Sequence, residues 1–421
     1  MKQETRRTDA TDDMGLFGLA LGLSEPWRVE RVEFVGEPGE LHLHLEAGGV
    51  ERMSCAPCGA LCPVYDRSEE RVWRHLNFFQ FKAFLHARQP RVRCGACGIK
   101  TVNVPWARPG SGFTLLFEAF TLLLGRLMPV ASLAQLMSEN DTRLWRVLEH
   151  YVEQARAEVD MSEVKQIGID ETSRRGHEYV TVVADQTAGQ AKRVLFVTEG
   201  KDAATVECFK ADLETHGGKT EQISAVSMDM SPAFQSGVTQ SFPQAMMIFD
   251  RFHVVKLLNE AVDQVRRNEV QGNPLLKHSR SLWLSNPENL SERQRDKLAP
   301  LNEMNLATAT AYQMKLNFQE LWKLKDRKEA ATFLEKWCRW VLDKDGPTPM
   351  KKVACAIQNH SEGILNYFTA TLTNGLLEGI NSLIQAAKAK ARGYRSTKYL
   401  KIIIYLVAGK LDFRLPSFHS R

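Results

Sequence analysis

Three carboxylates in three different local patterns are the residues of this sequence best suited to chemistry. Asp170 closes the apolar run Gln166-Ile-Gly-Ile-Asp170, Asp229 closes Ile223-Ser-Ala-Val-Ser-Met-Asp229, and Glu378 stands in Thr373-Asn-Gly-Leu-Leu-Glu378. An Asp at the end of a buried strand is costly to desolvate unless it binds something. Carboxylates that converge from separate parts of a chain hold hard cations such as Mg2+, with substrate phosphates completing the shell. Two cations about 3.5–4 Å apart can activate an attacking oxygen and stabilise a leaving one, which makes phosphoryl transfer the leading reading. Asp250, in Phe249-Asp-Arg-Phe-His253, is a rival acid or else the N-cap of the helix after it. His253 is either a phosphate contact or proton carrier, or a packed helix histidine.

Four cysteines form a second constellation. Cys55-Ala-Pro-Cys58 and Cys94-Gly-Ala-Cys97, each followed by Gly, have the spacing of a tetrahedral structural Zn2+ site. The long separation of the pairs requires a hairpin between them, for which the stretches from Arg71 and from Phe81 to Pro90 are candidates. Unligated thiols or a redox pair are the other readings. Cys62, Cys208, Cys338 and Cys355 read as ordinary thiols.

The elements that must position these residues follow from periodicity. Trp27 to Val35 and Leu41 to Glu46 alternate and predict a hairpin; Pro105 to Gly112 marks a boundary. Helices are predicted over 113–127, 130–137 and 141–156, with a turn and cap at Ser138 to Thr142. That layout suits a helix-turn-helix reader with Arg143, Trp145 and Arg146 at the start of its last helix. Three-helix packing without DNA explains it equally well. From Val164 the period changes to strands over 164–170, 178–184, 193–198, 223–228 and 245–249. Helices follow at 203–215, from Pro232, and at 252–267. The first three strands run antiparallel through short links, and the fourth returns parallel after a helical crossover, beside the first. Asp170 and Asp229 then sit side by side. This order is consistent with a ribonuclease-H-like fold. Residues 268–360 are helical, bear Trp283, Trp322, Trp337 and Trp340, and read as an insertion before the helix of Glu378.

Composition limits the alternatives. With 421 residues, 43% of them apolar and 25% charged, the chain is long enough for two to four domains with real cores. The net charge of +5 carries no whole-chain argument for nucleic acid, but local charge does. Val50 to Ser111 holds ten basic residues against four acidic, and Glu378 to Arg421 nine against two, as expected of surfaces that neutralise phosphates. Solvated basic faces are the plain alternative. No apolar run reaches the about 20 residues of a membrane span, and the start lacks a signal-peptide core, so a cytoplasmic protein is expected.

At these residues the chain resembles a known family, the bacterial insertion-sequence transposases of the ISL-three type, of the DDE class. The matching stretches are Leu21-Gly-Leu-Ser-Glu-Pro-Trp27, both cysteine pairs, Arg71-Val-Trp-Arg-His-Leu76, Trp106-Ala-Arg-Pro-Gly110, Ile169-Asp-Glu171, Asp250-Arg-Phe-His-Val254, and Asn374 to Asn381 continuing to Gly393-Tyr-Arg395. They occur in family order along nearly the whole chain. The resemblance implies an α/β multidomain protein: a ribonuclease-H-like catalytic core with a helical insertion, preceded by a zinc-binding β domain and a helix-turn-helix. The expected boundaries are an N-terminal segment 1–26, zinc-binding domain 27–110, helix-turn-helix 111–160, core 161–267, insertion 268–365, and a second core part 366–421.

The resemblance puts the catalytic triad on Asp170, Asp229 and Glu378, holding Mg2+ or Mn2+, with Asp170 shared by both cations. It puts structural Zn2+ on Cys55, Cys58, Cys94 and Cys97. The implied reaction is cleavage at transposon ends by water, then attack of the freed 3′-hydroxyl on target DNA. Double-stranded DNA, both terminal repeats and target, is the implied partner, with at least a homodimer assembled on it in the bacterial cytoplasm and nucleoid. The basic residues expected at DNA are Arg71, Arg74, Arg91, Arg93, Arg143, Arg146, Lys388, Lys390, Arg392, Arg395 and Lys398, with Asp250 and His253 auxiliary. Two other functions remain open: a zinc-dependent DNA-binding regulator, and a structure-selective nuclease of the same fold.

Overall fold

A computed structural model describes residues 5–8, 11–304, 306–343, 346–370 and 375–414. Thr373, Asn374 and Arg421, which the sequence reading used, lie outside them. The chain divides into two compact units, Met1–Tyr151 with the segment from Asp412, and Val152–Leu411.

The first unit begins with β1 (Thr5–Thr8), α1 (Thr11–Ala20), β2 (Trp27–Val35), β3 (Glu40–Ala47), β4 (Arg52–Ser54), β5 (Leu61–Arg74), β6 (Lys82–Cys94) and β7 (Gly98–Thr101). They form a seven-stranded sheet in the order β1-β2-β3-β6-β5-β4, with β7 on β6. Alternation determines which face is buried. Leu41, Leu43 and Leu45 of β3 and Ala83, Leu85 and Ala87 of β6 pack against Trp27, Trp73 and Trp106. Trp27 and Trp106 meet edge to face at 4.7 Å. The hairpin required between the cysteine pairs is β5 and β6, which pair antiparallel from Val64↔Val92 to Arg74↔Phe84.

Three helices follow, α2 (Leu115–Gly125), α3 (Val130–Met137) and α4 (Asp141–Ala157). Thr114 accepts the Phe117 N–H and caps α2. Ser138, at φ 49°, ends α3 in the left-handed region, and Asn140 Oδ1 accepts the Thr142 N–H at 2.9 Å to start α4.

His75, beside Arg74, bonds Thr114 Oγ1 through Nδ1 at 2.8 Å. Burial, reinforced by the Arg74 charge, pushes its pKa down from 6.5 to about 4. The folded ring therefore stays neutral while the unfolded one protonates. Nothing is lost above pH 6.5, and stability falls with acid between 6.5 and about 4. The loss amounts to about 3 kcal/mol at most, at about 1.4 kcal/mol per pH unit. In His75→Gln this part of the acid slope is expected to vanish from urea-unfolding curves taken between pH 4 and 7; an unchanged slope would refute the assignment.

The second unit contains β8 (Gln166–Arg175), β9 (Glu178–Asp185), β10 (Val194–Glu199), α5 (Ala203–Thr215), β11 (Ala225–Met228), α6 (Pro232–Ser241), β12 (Met246–Phe249) and α7 (Arg251–Glu269). After these come α8 (Arg280–Leu284), α9 (Glu292–Glu303), α10 (Ala307–Gln319), α11 (Arg327–Leu342), α12 (Thr348–Asn359), α13 (Ser361–Leu365), α14 (Gly375–Ala391) and α15 (Thr397–Ala408). The sheet order is β10-β9-β8-β11-β12. β10, β9 and β8 pair antiparallel, while β8, β11 and β12 pair parallel, as the crossover argument predicts.

The largest boundary difference is at the end of β8. β8 does not stop at Asp170 but continues to Arg175, because β9 pairs with it as far as Arg175↔Glu178. The parallel ladder to β11 ends earlier, at Ser227↔Gly168, so Asp170 lies where β8 has a neighbour on one side only. The helices of 268–365 share one apolar cluster with the sheet, Trp283, Tyr312, Phe318 and Trp337 joining Ile167, Met228 and Phe249. No helix among the described residues is long and apolar enough to cross a membrane.

Candidate functional site

Three acids lie at the same edge of three neighbouring parallel strands, Asp229 and Asp250 just past the ends of β11 and β12 and Asp170 within β8, where its parallel ladder ends. The β8–β11 register, continued beyond Ser227↔Gly168, sets Asp229 beside Asp170, and the β11–β12 register, continued beyond Met228↔Phe249, sets Asp250 beside Asp229. The Asp250 N–H donates to the Met228 carbonyl at 2.9 Å, tying the third acid to the second strand. Asp229 Oδ1 accepts the Ser231 N–H at 2.9 Å, where Pro232 opens α6. Asp250 is the N-cap of α7: its Oδ1 accepts from Phe252 N at 2.7 Å, and Oδ2 faces His253 Nδ1 at 3.3 Å.

The electrostatics link the group. Burial raises the Asp170 carboxyl above 3.8, and neighbouring Asp250 adds to this, against the Glu171 N–H, the His253 charge and the Asn381 amide, which favour the anion. Burial pulls His253 down, but the hydrogen bond to Asp250 and the charges of Asp170, Asp250 and Asp229 outweigh it and raise its pKa above 6.5. One imidazole thus lies in the field of all three aspartates. A buried carboxyl whose anion is left only partly compensated is a fitting ligand for a hard cation.

α14 brings in Glu378. Its side chains fasten it to β8 at successive turns: Asn381 Nδ2 donates to Asp170 Oδ2, Gln385 Nε2 to Thr172 Oγ1 at 2.8 Å, and Lys388 Nζ to the Ser173 carbonyl. Glu378 lies one turn before Asn381 on the same face and is exposed. Gly168 allows this approach, since a Cβ there would lie 2.7 Å from the Leu377 side chain and 2.5 Å from that of Gln186.

The cysteines converge in the first unit. Cys55, Cys58, Cys94 and Cys97 bring their sulfurs within 4.8 Å of one another, and Cys58 Sγ is 3.6 Å from Cys94 Sγ. Tetrahedral Zn2+ with Zn–S of about 2.3 Å needs S–S separations of about 3.8 Å, so the four thiols fit it. Gly59 and Gly98, at φ 72° and 75°, make the left-handed turns after each pair. Backbone N–H groups of Cys97 and Ala96 hold the Cys94 thiol down at about 6, favouring the thiolate that binds metal. The sequence reading missed that Cys62 is buried beside these sulfurs, which interact with it electrostatically. Among the described residues one other group of ligand atoms is this close, His44, Glu70 and His86. Asp170, Asp229 and Glu378 are not drawn within that distance of one another.

Comparison with known proteins places the chain in a family. Residues 51–97 match the zinc finger of the IS204, IS1001, IS1096 and IS1165 transposases. Residues 102–152 match the helix-turn-helix domain of transposase family ISL3. Residues 167–404, more than half of the chain, match the ISL3 transposase domain of the DDE class. The chain belongs to the ISL3 transposase family. It is similar to the transposase for insertion sequence element IS1557 of Mycobacterium tuberculosis, 28% identical over 444 residues that cover 96% of this chain and 98% of the relative. It is also similar to the IS1001 transposase of Bordetella parapertussis, 29% identical over 399 residues, 90% and 95% of the two chains. The ISL3 chain is therefore a DNA transposase, a metal-dependent enzyme of strand cleavage and strand transfer. Its mixed α/β architecture carries the zinc-finger and helix-turn-helix domains ahead of the DDE domain.

The basic residues of this ISL3 transposase fall into two groups. Arg93, Arg143, Arg146, Lys390, Arg392, Arg395 and Lys398 are exposed. Arg143 also pairs with Glu139 at 2.6 Å, and Arg93 stacks on Tyr65 at 4.4 Å. Others are engaged within the fold: Arg91 grips Asp66, Lys388 holds β8, and Arg71 reaches Gln89 and Ser111 at 3.1 and 3.2 Å. Arg74 departs from its expected place at DNA. It is 2% exposed, donates to Asn77 and the Met137 carbonyl, and faces Glu139 at 3.7 Å, so it joins β5 to the end of α3. Trp145 is buried.

Asn381 is the functional residue that sequence reasoning passed over. It stood in the quoted Glu378-Gly-Ile-Asn381 motif, where its spacing of three from Glu378 is the signal that marks the same helix face.

Proposed function

We propose that Asp170, Asp229 and Glu378 hold two divalent cations, Mg2+ or Mn2+, and that this transposase cuts transposon ends and joins their 3′-hydroxyls to target DNA. The observation that carries the reading is the register that brings Asp170 beside Asp229, with α14 tied to Asp170 one turn after Glu378. When bound, the cations supply Lewis-acid stabilisation of the attacking and leaving oxygens. The residues do the rest. Asp170, beside Asp229 and tied to the helix of Glu378, would be a ligand shared by the cations, and Asn381 orients its carboxylate. Asp250 fixes α7 and aims His253 across the acids, where a raised pKa lets the imidazole hold a proton near a phosphate. The strand order β10-β9-β8-β11-β12, antiparallel then parallel, supports a ribonuclease-H-like core.

The domains in this reading keep the boundaries 1–26, 27–110, 111–160, 161–267, 268–365 and 366–421. Zn2+ on Cys55, Cys58, Cys94 and Cys97 holds the first β domain together. Terminal repeats are gripped by Arg71, Arg91, Arg93, Arg143 and Arg146, and phosphates near the scissile bond by Lys388, Lys390, Arg392, Arg395 and Lys398. Two ends must be joined, so the working form is at least a dimer on DNA, in the cytoplasm at the nucleoid.

Incubating the protein and Mg2+ with DNA carrying the element's terminal repeats plus a target is expected to give joined products. Cleavage with no joining would favour a nuclease, and binding alone a regulator. Asn381→Ala is expected to lower the joining rate about 10–100-fold and to raise the Mg2+ concentration needed for half-maximal rate. A purely structural role would leave that metal dependence unmoved.

A further inference from the structure

The outer face of the first sheet carries a histidine and glutamate cluster that the transposase reaction does not use. β3 presents His42 and His44 on the face opposite Leu41, Leu43 and Leu45, and β6 presents His86 directly across from His44. Glu70 of β5 is the diagonal neighbour of His86, two residues before its partner Val72. One ligand atom each from His44, His86 and Glu70 lies within 4.8 Å of the others, and all three residues line a cavity of about 520 Å3.

The hydrogen bonds around this cluster are one proton short. Glu40, His42, His86 and Glu70 form a chain with three contacts: Glu40 Oε2 to His42 Nε2 at 3.2 Å, His42 Nδ1 to His86 Nε2 at 2.9 Å, and His86 Nδ1 to Glu70 Oε2 at 3.4 Å. Two neutral imidazoles carry one N–H each, so two protons serve three contacts. When His86 donates to His42 and His42 to Glu40, the His86 Nδ1 lone pair faces the Glu70 carboxylate. A cation between them removes that repulsion. The Glu40–His42 pair behind it is the carboxylate–histidine support that orients ligating imidazoles.

We propose that His44, His86 and Glu70 form a second metal site, open on one side, that takes a divalent cation of the Zn2+ class. Two imidazoles and one carboxylate with a free fourth position are the ligand set of open zinc sites, unlike the closed four-cysteine site. The cation clips β3, β6 and β5 together and leaves its fourth position for water or a phosphate oxygen. Arg31 now covers His44, with its Nη2 3.3 Å from Nδ1, the nitrogen facing Glu70, and 3.0 Å from Nε2, and must withdraw to Glu33, which its Nη1 already holds at 2.7 Å.

The test is a Co2+ and Zn2+ titration of the full chain, with metal content by mass spectrometry after desalting. With excess Mg2+ keeping Asp170, Asp229 and Glu378 occupied, two equivalents are expected, the first giving the intense thiolate-to-cobalt charge-transfer band and the second adding only weak bands. In His86→Asn and Glu70→Gln the second equivalent weakens about 10-fold or more, while the charge-transfer band persists. Arg31→Ala binds the second equivalent more tightly. If His86→Asn loses the thiolate band through misfolding, Glu70→Gln and Arg31→Ala decide. Saturation at one equivalent, or a second equivalent indifferent to Glu70→Gln and Arg31→Ala, overturns the site.

Discussion

Asp170→Asn is expected to abolish both end cleavage and strand joining, by on the order of 10³-fold or more, about 4 kcal/mol of transition-state stabilisation. The amide keeps the shape of the carboxyl and still accepts the Glu171 N–H, now made at 2.7 Å, while its NH2 meets Asn381, whose amide turns over to accept instead of donate. What it removes is the negative charge that a hard cation requires. The fold should not suffer, because burial already disfavours the Asp170 anion and raises its pKa, so neutralising it relieves a desolvation cost. The measurement is a gel assay of cleaved and joined DNA beside a thermal melt and a terminal-repeat binding curve. Activity lost with melting and binding intact supports the triad, and Asp229→Asn and Glu378→Gln should behave alike. Joining above a tenth of the wild-type rate in Asp170→Asn would remove Asp170 from the site.

Cys94→Ser is expected to have the second large effect, on a different part of the molecule. Cys94 ends β6 and stands 3.6 Å from Cys58, so its loss opens the tetrahedral set at the join of the two pairs. Structural Zn2+ contributes about 10–16 kcal/mol of apparent binding energy in small zinc domains, far more than the small cluster of Met53, Val92 and Val102 around these thiols can replace. One zinc equivalent should be lost and terminal-repeat binding should weaken at least ~100-fold. The apolar cluster of the second unit begins at Met161 and has no member in the zinc-binding sheet. Its unfolding transition is therefore expected at an unchanged temperature by calorimetry. A Cys94→Ser protein with full zinc content and full DNA affinity would refute a structural role.

Much of this was legible because it is written in short spacings. Two Cys-x-x-Cys-Gly repeats specify sulfurs that a local turn can converge, and the turn glycines have the positive φ that such a repeat demands. α5 matches its expected span of 203–215, and Asp250 is an N-cap as its position before Phe252 suggested. The end of β8 was misread because an Asp after an apolar run looks terminal. The pairing that continues the strand to Arg175 comes from β9 and is not encoded in β8 itself. Arg74 was misread for a related reason. A basic residue in a basic stretch reads as a surface group, yet Glu139 and the Met137 carbonyl, some 63 residues on, give it a buried seat.

The sequence by itself singled out the acids and the thiols as candidates, the strand and helix order from 164 to 267 and, through its motifs, the transposase family. Those features depend on residue type and on periods of two to about four residues, which act within one element. Tertiary structure alone decided that Asn381 reaches Asp170 across 211 positions, that His253 lies in the field of three aspartates, and that His44, His86 and Glu70 meet on one sheet face. Each of those depends on register between strands or on the seating of a helix. Both are set by the packing of whole surfaces, in which a shift of one residue turns a side chain to the other face.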